Sequence, residues 1–121
     1  MTGTNNKRIL IVDDNEDISQ VVGMVLSDKG YDVHSHSTGA DIISTVLNVN
    51  PDLILMDIML GEYDGRELCT MLKDNEETSE IPILLVSGAH DLHPKQNRAD
   101  GFISKPFDID YLLLRVARTI N

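Results

Sequence analysis

The stretch Leu53-Ile54-Leu55-Met56-Asp57 decides the fold: four large apolar residues without alternation, ended at once by a carboxylate. A run this short reads as a strand, and its unbroken apolarity means that both of its faces are covered, the habit of parallel sheets. The same pattern recurs on either side of it, at Ile9-Leu10-Ile11-Val12, at Ile83-Leu84-Leu85-Val86 and more weakly at Phe102-Ile103. Tyr31 to His36 alternates instead, with Tyr31, Val33 and Ser35 on one side and Asp32, His34 and His36 on the other, as an edge strand does.

Helical patterns lie between these runs. Ile18, Val21, Val22, Val25 and Leu26 follow the capping-competent Asp13-Asp14-Asn15 at helical spacing, and Gly30 is a stop signal. Thr38 is read as the cap of a second helix carrying Ala40, Ile43, Val46 and Leu47, which Pro51 ends. Asp64-Gly65 opens a third through Leu68, Met71 and Leu72, and Asp108 caps a last one through Leu112, Leu113, Val116 and Ile120. Strand alternates with helix, so the expected object is an α/β sandwich, a doubly wound sheet of five parallel strands with helices on both faces. One segment fits poorly. Between Ala89 and Gly101 only Leu92 is a large apolar residue and Pro94 removes a donor, so the fourth helix is predicted to be short or irregular.

Composition bounds the function. The chain has 121 residues, 10 Lys+Arg and 20 Asp+Glu, a net charge of −10. That length suits one domain with its own core, read as a flexible tail over 1–7 and a folded domain over 8–121. Cys69 is the single cysteine, which excludes an internal disulfide framework and suits a reducing, cytoplasmic setting. No run approaches the roughly 18 apolar residues of a membrane span. The acidic balance argues against direct contact with nucleic acid or anionic lipid.

The chemistry lies where the buried strands end. Asp13 and Asp14 follow the first, Asp57 ends the third, Ser87 ends the fourth, and Lys105 lies just past the fifth. Open parallel sheets bind ligands beyond the carboxyl ends of their strands, so these groups should converge on one rim. Three carboxylates there repel one another by about 4 kcal/mol per pair at ~4 Å and an effective dielectric near 20. Lys105 supplies one positive charge. A hard divalent cation held by Asp13 or Asp14 and by Asp57, with water and a backbone carbonyl, would relieve the rest, and the oxygen ligands suit Mg²⁺. Carboxylate, metal, hydroxyl and lysine together make a phosphoryl-transfer site whose nucleophile is itself a carboxylate, Asp57.

With these residues in place the chain resembles the receiver domains of two-component response regulators, the CheY-like superfamily, over nearly its whole length. The resemblance is carried by Ile11-Val12-Asp13-Asp14-Asn15-Glu16, Leu55-Met56-Asp57-Ile58-Met59-Leu60, Asp64-Gly65, Ser87-Gly88-Ala89 and Lys105-Pro106-Phe107. It implies a flavodoxin-like strand order of 2-1-3-4-5. It implies that Asp57 accepts a phosphoryl group from a sensor histidine kinase or a histidine phosphotransfer protein. It further implies that Asp14, Asp57 and the Met59 main-chain carbonyl ligate Mg²⁺, with Asp13 acting directly or through water. Ser87 and Phe102 look like the switch pair, and Lys105-Pro106 resembles a cis peptide that aims Lys105 into the site. Such a domain modifies itself without turning over a free substrate, and signals to a downstream protein or effector domain as a monomer or as a phosphorylation-dependent dimer.

Two departures stand out. Gly61 occupies a position where many receivers carry proline, which suggests a more flexible loop after Asp57. The 18 positions from Ser87 to Lys105 fall short of the family habit by about one helical turn. Other functions fit less well. An aspartyl-phosphate hydrolase would show Asp-x-Asp after the first strand, and an FMN carrier would show a Ser-, Thr- and Gly-rich loop where this chain has Asp13-Asp14-Asn15-Glu16-Asp17. A docking-only pseudo-receiver would not need the complete acidic set with Lys105. His34 with His36, and His90 with His93, lack further ligands nearby and read as solvated histidines. Cys69 reads as structural.

Overall fold

The computed structural model describes residues 7–88 and 98–120. In chain order they form β1 (Arg8–Val12), α1 (Glu16–Asp28), β2 (Asp32–His36), α2 (Ile42–Val49), β3 (Leu53–Asp57), β4 (Met59–Leu60), β5 (Tyr63–Asp64), α3 (Gly65–Asp74), β6 (Ile83–Ser87), β7 (Gly101–Ser104) and α4 (Ile109–Ile120). Five strands pair in parallel in the order β2-β1-β3-β6-β7. Without the short β4 and β5, this is the expected 2-1-3-4-5 order. No described helix is long and apolar enough to cross a membrane.

The unbroken apolar runs feed two cores at once, because successive side chains of a strand point to opposite faces. Leu10, Val12, Ile54, Met56, Ile83 and Leu85 pack with α2 and α3 through Ile42, Val46, Leu68 and Leu72. Ile9, Ile11, Leu53, Leu55, Leu84, Val86 and Ile103 pack with α1 and α4 through Val22, Leu26, Leu112 and Val116. On the edge strand β2 no residue is fully buried. Some apolar positions assigned to helix stripes face out instead, among them Val21, Leu47 and Met71.

Capping follows chemistry more than position. Asn15 caps α1, its side chain accepting from the Ile18 N–H, and Asp64 caps α3 by accepting from the Arg66 N–H. Asp108 accepts from the Asp110 N–H at 3.0 Å, as expected of the last cap. Thr38 does not cap α2. Its hydroxyl accepts from the Ala40 N–H at 3.1 Å, closing a turn, and the helix starts only after Asp41, which sits in the left-handed region at φ 54°. The reason is tertiary. Gly39 is pressed against Leu68 and Tyr63, where an added Cβ would come within 2.7 Å, so the chain must pass that contact before it can coil.

A short antiparallel ribbon, β4-β5, adds to the expected elements. Gly61 turns it at φ 64°, so the chain after Asp57 forms a two-stranded hairpin among the described residues. The irregular-helix expectation lies largely on residues 89–97, outside the described residues, as does all of the 1–7 tail except Lys7. The Lys7 carbonyl accepts from the Asp32 N–H at 2.9 Å.

Candidate functional site

Strand alternation explains why the site's side chains meet. Asp13, Asp57 and Lys105 continue the odd-numbered series that turns Ile11, Leu55 and Ile103 toward α1 and α4. Ser87 continues Leu85 on the opposite face, and Phe102, paired with Leu85 across the sheet, packs on that same side. Asp57 pairs in register with Val86, so Ser87 stands one residue further along the neighbouring strand.

The rim holds the expected cluster. One ligand oxygen each from Asp13, Asp14 and Asp57 lies within 4.8 Å of the others. Asp13 and Asp57 are buried, at 5% and 7% exposure, whereas Asp14 is exposed. Lys105 brings its Nζ to 3.3 Å from Asp57 Oδ2 and 4.0 Å from Asp13 Oδ2. Burial first, then the charge of Asp13, raises the proton affinity of Asp57 above its ordinary 3.8; Lys105 opposes this and Asp14 adds to it. One lysine therefore does not balance the cluster.

Backbone bonds set these positions. The Asp13 N–H donates to the His36 carbonyl at 3.1 Å, and the Asp13 carboxylate accepts from the Asn15 N–H at 2.9 Å. The Lys105 N–H donates to the Ser87 carbonyl at 2.7 Å, and the Lys105-Pro106 bond is cis. Gly65 is more than a helix start: its Cα lies against the Asp57 carbonyl, where a Cβ would clash with that oxygen. Glycine at this position lets α3 approach the strand end that carries Asp57. Its signal in the sequence, a glycine directly after a capping aspartate, is indistinguishable from an ordinary helix start.

The donor set fits a hard divalent cation. It consists of oxygens, it carries more negative charge than Lys105 neutralises, and a further oxygen is available from the main chain. The Gly65 N–H donates to the Ile58 carbonyl at 2.7 Å, and Met59 stands opposite Asp64. Antiparallel pairs alternate, so Met59 and Asp64 form the non-hydrogen-bonded pair and the Met59 carbonyl stays outside the ladder.

The sequence matches the response regulator receiver domain over residues 9–117. The chain belongs to this family. It is 36% identical over 113 residues to the DNA-binding dual master transcriptional regulator RpaA of Synechocystis, covering 90% of this chain and 47% of that protein. It is 34% identical to the response regulator ArlR of Staphylococcus saprophyticus, covering 90% and 50%. The chain thus spans about half the length of these curated relatives. A putative response regulator from Chloroflexus aurantiacus superposes with a TM-score of 0.88 at 27% identity, covering 96% and 98% of the two chains. The receiver domain of a signal transduction histidine kinase from Syntrophus aciditrophicus gives 0.87 at 29%, covering 94% and 89%.

The candidate histidines among the receiver's described residues have partners of their own. His34 faces Asp32 at 3.4 Å, and His36 lies 3.3 Å from the Ala40 carbonyl and 3.4 Å from the Thr45 hydroxyl. Neither joins a ligand cluster among the described residues; His90 and His93 lie outside them. Burial pushes the Cys69 thiol up to about 11, which keeps it protonated and inert.

Proposed function

We propose that this receiver is a Mg²⁺-dependent phosphorylation switch whose acceptor is Asp57. The observation that carries the reading is the arrangement of Asp13, Asp14 and Asp57 within 4.8 Å of one another, with Lys105 Nζ 3.3 Å from Asp57. The donor is a phosphohistidine of a sensor histidine kinase or a phosphotransfer protein. An Asp57 carboxylate oxygen forms the new O–P bond as the N–P bond of the phosphohistidine breaks and the imidazole leaves with its electron pair. Asp57 acts in its ionised form, held at the end of a buried strand by the sheet and by the close approach of Gly65.

Lys105 holds an oxygen of the transferred group, and the Ser87 hydroxyl donates to another. Asp14, Asp57 and the Met59 carbonyl would hold Mg²⁺, with Asp13 contributing directly or through water. Bound there, the ion neutralises charge on the phosphoryl oxygens. Ser87 moving toward the phosphoryl group, with Phe102 turning into the space released, carries the change to the outer face of β7. Attack by water on the acyl phosphate resets the domain. In this reading the domain catalyses only its own modification, within the cytoplasm, and its output goes to a partner protein or to an effector domain of a longer protein. With a net charge of −10, any DNA contact of the kind named for RpaA would belong to such an effector.

The test is incubation with Mg²⁺ and a small phosphodonor, followed by intact mass and base lability. One acid-stable, base-labile phosphoryl group is expected, absent from Asp57→Asn. Wild-type levels of the modification in that variant would overturn the assignment. Calorimetric titration with Mg²⁺ should show binding that Asp14→Ala weakens.

A further inference from the structure

Away from the acidic rim, α2, α3 and the β4-β5 ribbon enclose an open groove of about 820 Å³. Three large apolar side chains line it while remaining exposed: Leu47 at 44%, Tyr63 at 39% and Met71 at 50%. A single exposed apolar residue is unremarkable, but three from three different elements converging on one concavity mark a docking surface. The floor is preformed. Gly39 packs directly on Tyr63 and Leu68, which fixes the ribbon against α3 and lowers the ordering cost of binding.

Charge narrows the occupant. Asp41, Glu62 and Glu67 stand on the groove's lips, and none forms an ion pair with a described residue. A fourth lining acid, Asp64, is paired with Arg66, and no lysine, arginine or histidine lines the groove. A second copy of the chain would bring the same acidic lips into contact, and an anionic membrane or nucleic acid would be repelled likewise. Length narrows it further. The eight residues of α2 and ten of α3 make walls of about 12 and 15 Å. Such walls match two to three turns of a helix, which presents anchors at i, i+4 and i+7.

We propose that the α2–α3 groove docks a basic, amphipathic helical segment of a partner protein. Leu47, Tyr63 and Met71 take its apolar anchors, the adaptable Met71 accommodating different side chains, and Asp41, Glu62 and Glu67 pair with its cationic flanks. The proposal stands on the groove alone and holds whether or not Asp57 is phosphorylated.

The test is an amide NMR titration of the full chain with a synthetic helical peptide of about 14 residues, roughly four turns, bearing Leu at i, i+4, i+7 and i+11 and Lys elsewhere. Saturable shifts confined to α2, α3 and the ribbon are expected. Leu47→Ser with Met71→Ser, and separately Glu62→Lys with Glu67→Lys, should each weaken binding about tenfold or more, the scale of losing hot-spot contacts. These positions are exposed, so each variant's own spectrum reports whether the fold is intact. A scrambled peptide of equal composition should bind at least about tenfold more weakly. Equal binding of the scrambled peptide, shifts spread over the whole acidic surface, or no binding would overturn the proposal. Concentration-dependent shifts at these residues without peptide would assign the groove to a second copy and overturn it too.

Discussion

At the amino end of the sheet, Asp32, Asp52 and Asp100 each have a counterpart. Arg8 donates from its backbone to Asp52 at 2.8 Å, from Nε to Asp32 at 2.9 Å and from Nη1 to the Val49 carbonyl at 2.7 Å. Lys73 reaches the Ile81 carbonyl and Asp100, each at 2.8 Å, while the same Asp100 oxygen accepts from the Ile83 N–H that opens β6. At the carboxyl end of these strands, Asp13, Asp14 and Asp57 gather around one lysine. The same residue types are thus used as closed structural clamps at one end and left short of positive charge at the other. Structure is served by compensation, and the uncompensated end is where a cation can still gain by binding.

The largest effect that would break this contrast concerns its two cations. Lys105→Met should slow acyl-phosphate formation by about 10²-fold or more, the scale of removing a stabilising donor from a transition state. Arg8→Gln, at the opposite end, should leave that rate unchanged. Equal slowing in time courses of phosphoryl incorporation would erase the division between the two ends.

Lys73→Met should cost about 2 kcal/mol in urea unfolding, because losing a side chain only 11% exposed leaves the Ile81 carbonyl without its Lys73 donor and Asp100 without its cationic partner. A change within about 0.5 kcal/mol would place it among ordinary surface pairs instead.

Asp57→Asn, in buffer free of divalent ions, should stabilise the fold by about 1 kcal/mol at neutral pH by removing a buried, underpaired charge. The sign follows from its raised proton affinity. Protonated Asp57 contributes stability that is fully present below 3.8 and is lost as pH rises through its higher folded value. The variant's advantage should therefore vanish in acid, which unfolding curves across pH will show.

Asp64 provides the opposite sign. Arg66 holds its carboxyl below the usual 3.8, so its contribution is present above that value and is lost as pH falls through the depressed folded one. Asp64→Ala should cost about 1 kcal/mol at neutral pH as a lost cap, and less in acid.

Much of this was legible along the chain because burial on both faces leaves a strong mark. Leu53-Ile54-Leu55-Met56 and its companions have no polar position to spare, and their polar ends identify Asp13, Asp57, Ser87 and Lys105 by place alone. What stayed hidden depends on contacts across the fold. The ribbon has two residues per strand, too few for alternation to register, and rests on Gly61's positive φ and the Gly65-to-Ile58 bond. Thr38 had the chemistry of a cap, but the packing of Gly39 on Tyr63 and Leu68 delayed the helix. Leu47 and Met71 had the spacing of core residues, yet they line an open groove because no described element covers it.

By itself, then, the sequence determined the alternating strands and helices of a doubly wound sheet and the rim on which the acids meet, while the strand order was legible only through the resemblance to receiver domains. Hydrophobic periodicity is a local property, and the sheet converts it directly into position. Only the tertiary structure decided how closely the groups approach. Lys105 reaches 3.3 Å from Asp57 only because parallel pairing sets β6 between β3 and β7. Gly65 bears on the Asp57 carbonyl only because α3 folds back from the ribbon. Distances between residues far apart in the chain are set by packing, and packing is a property of the whole core.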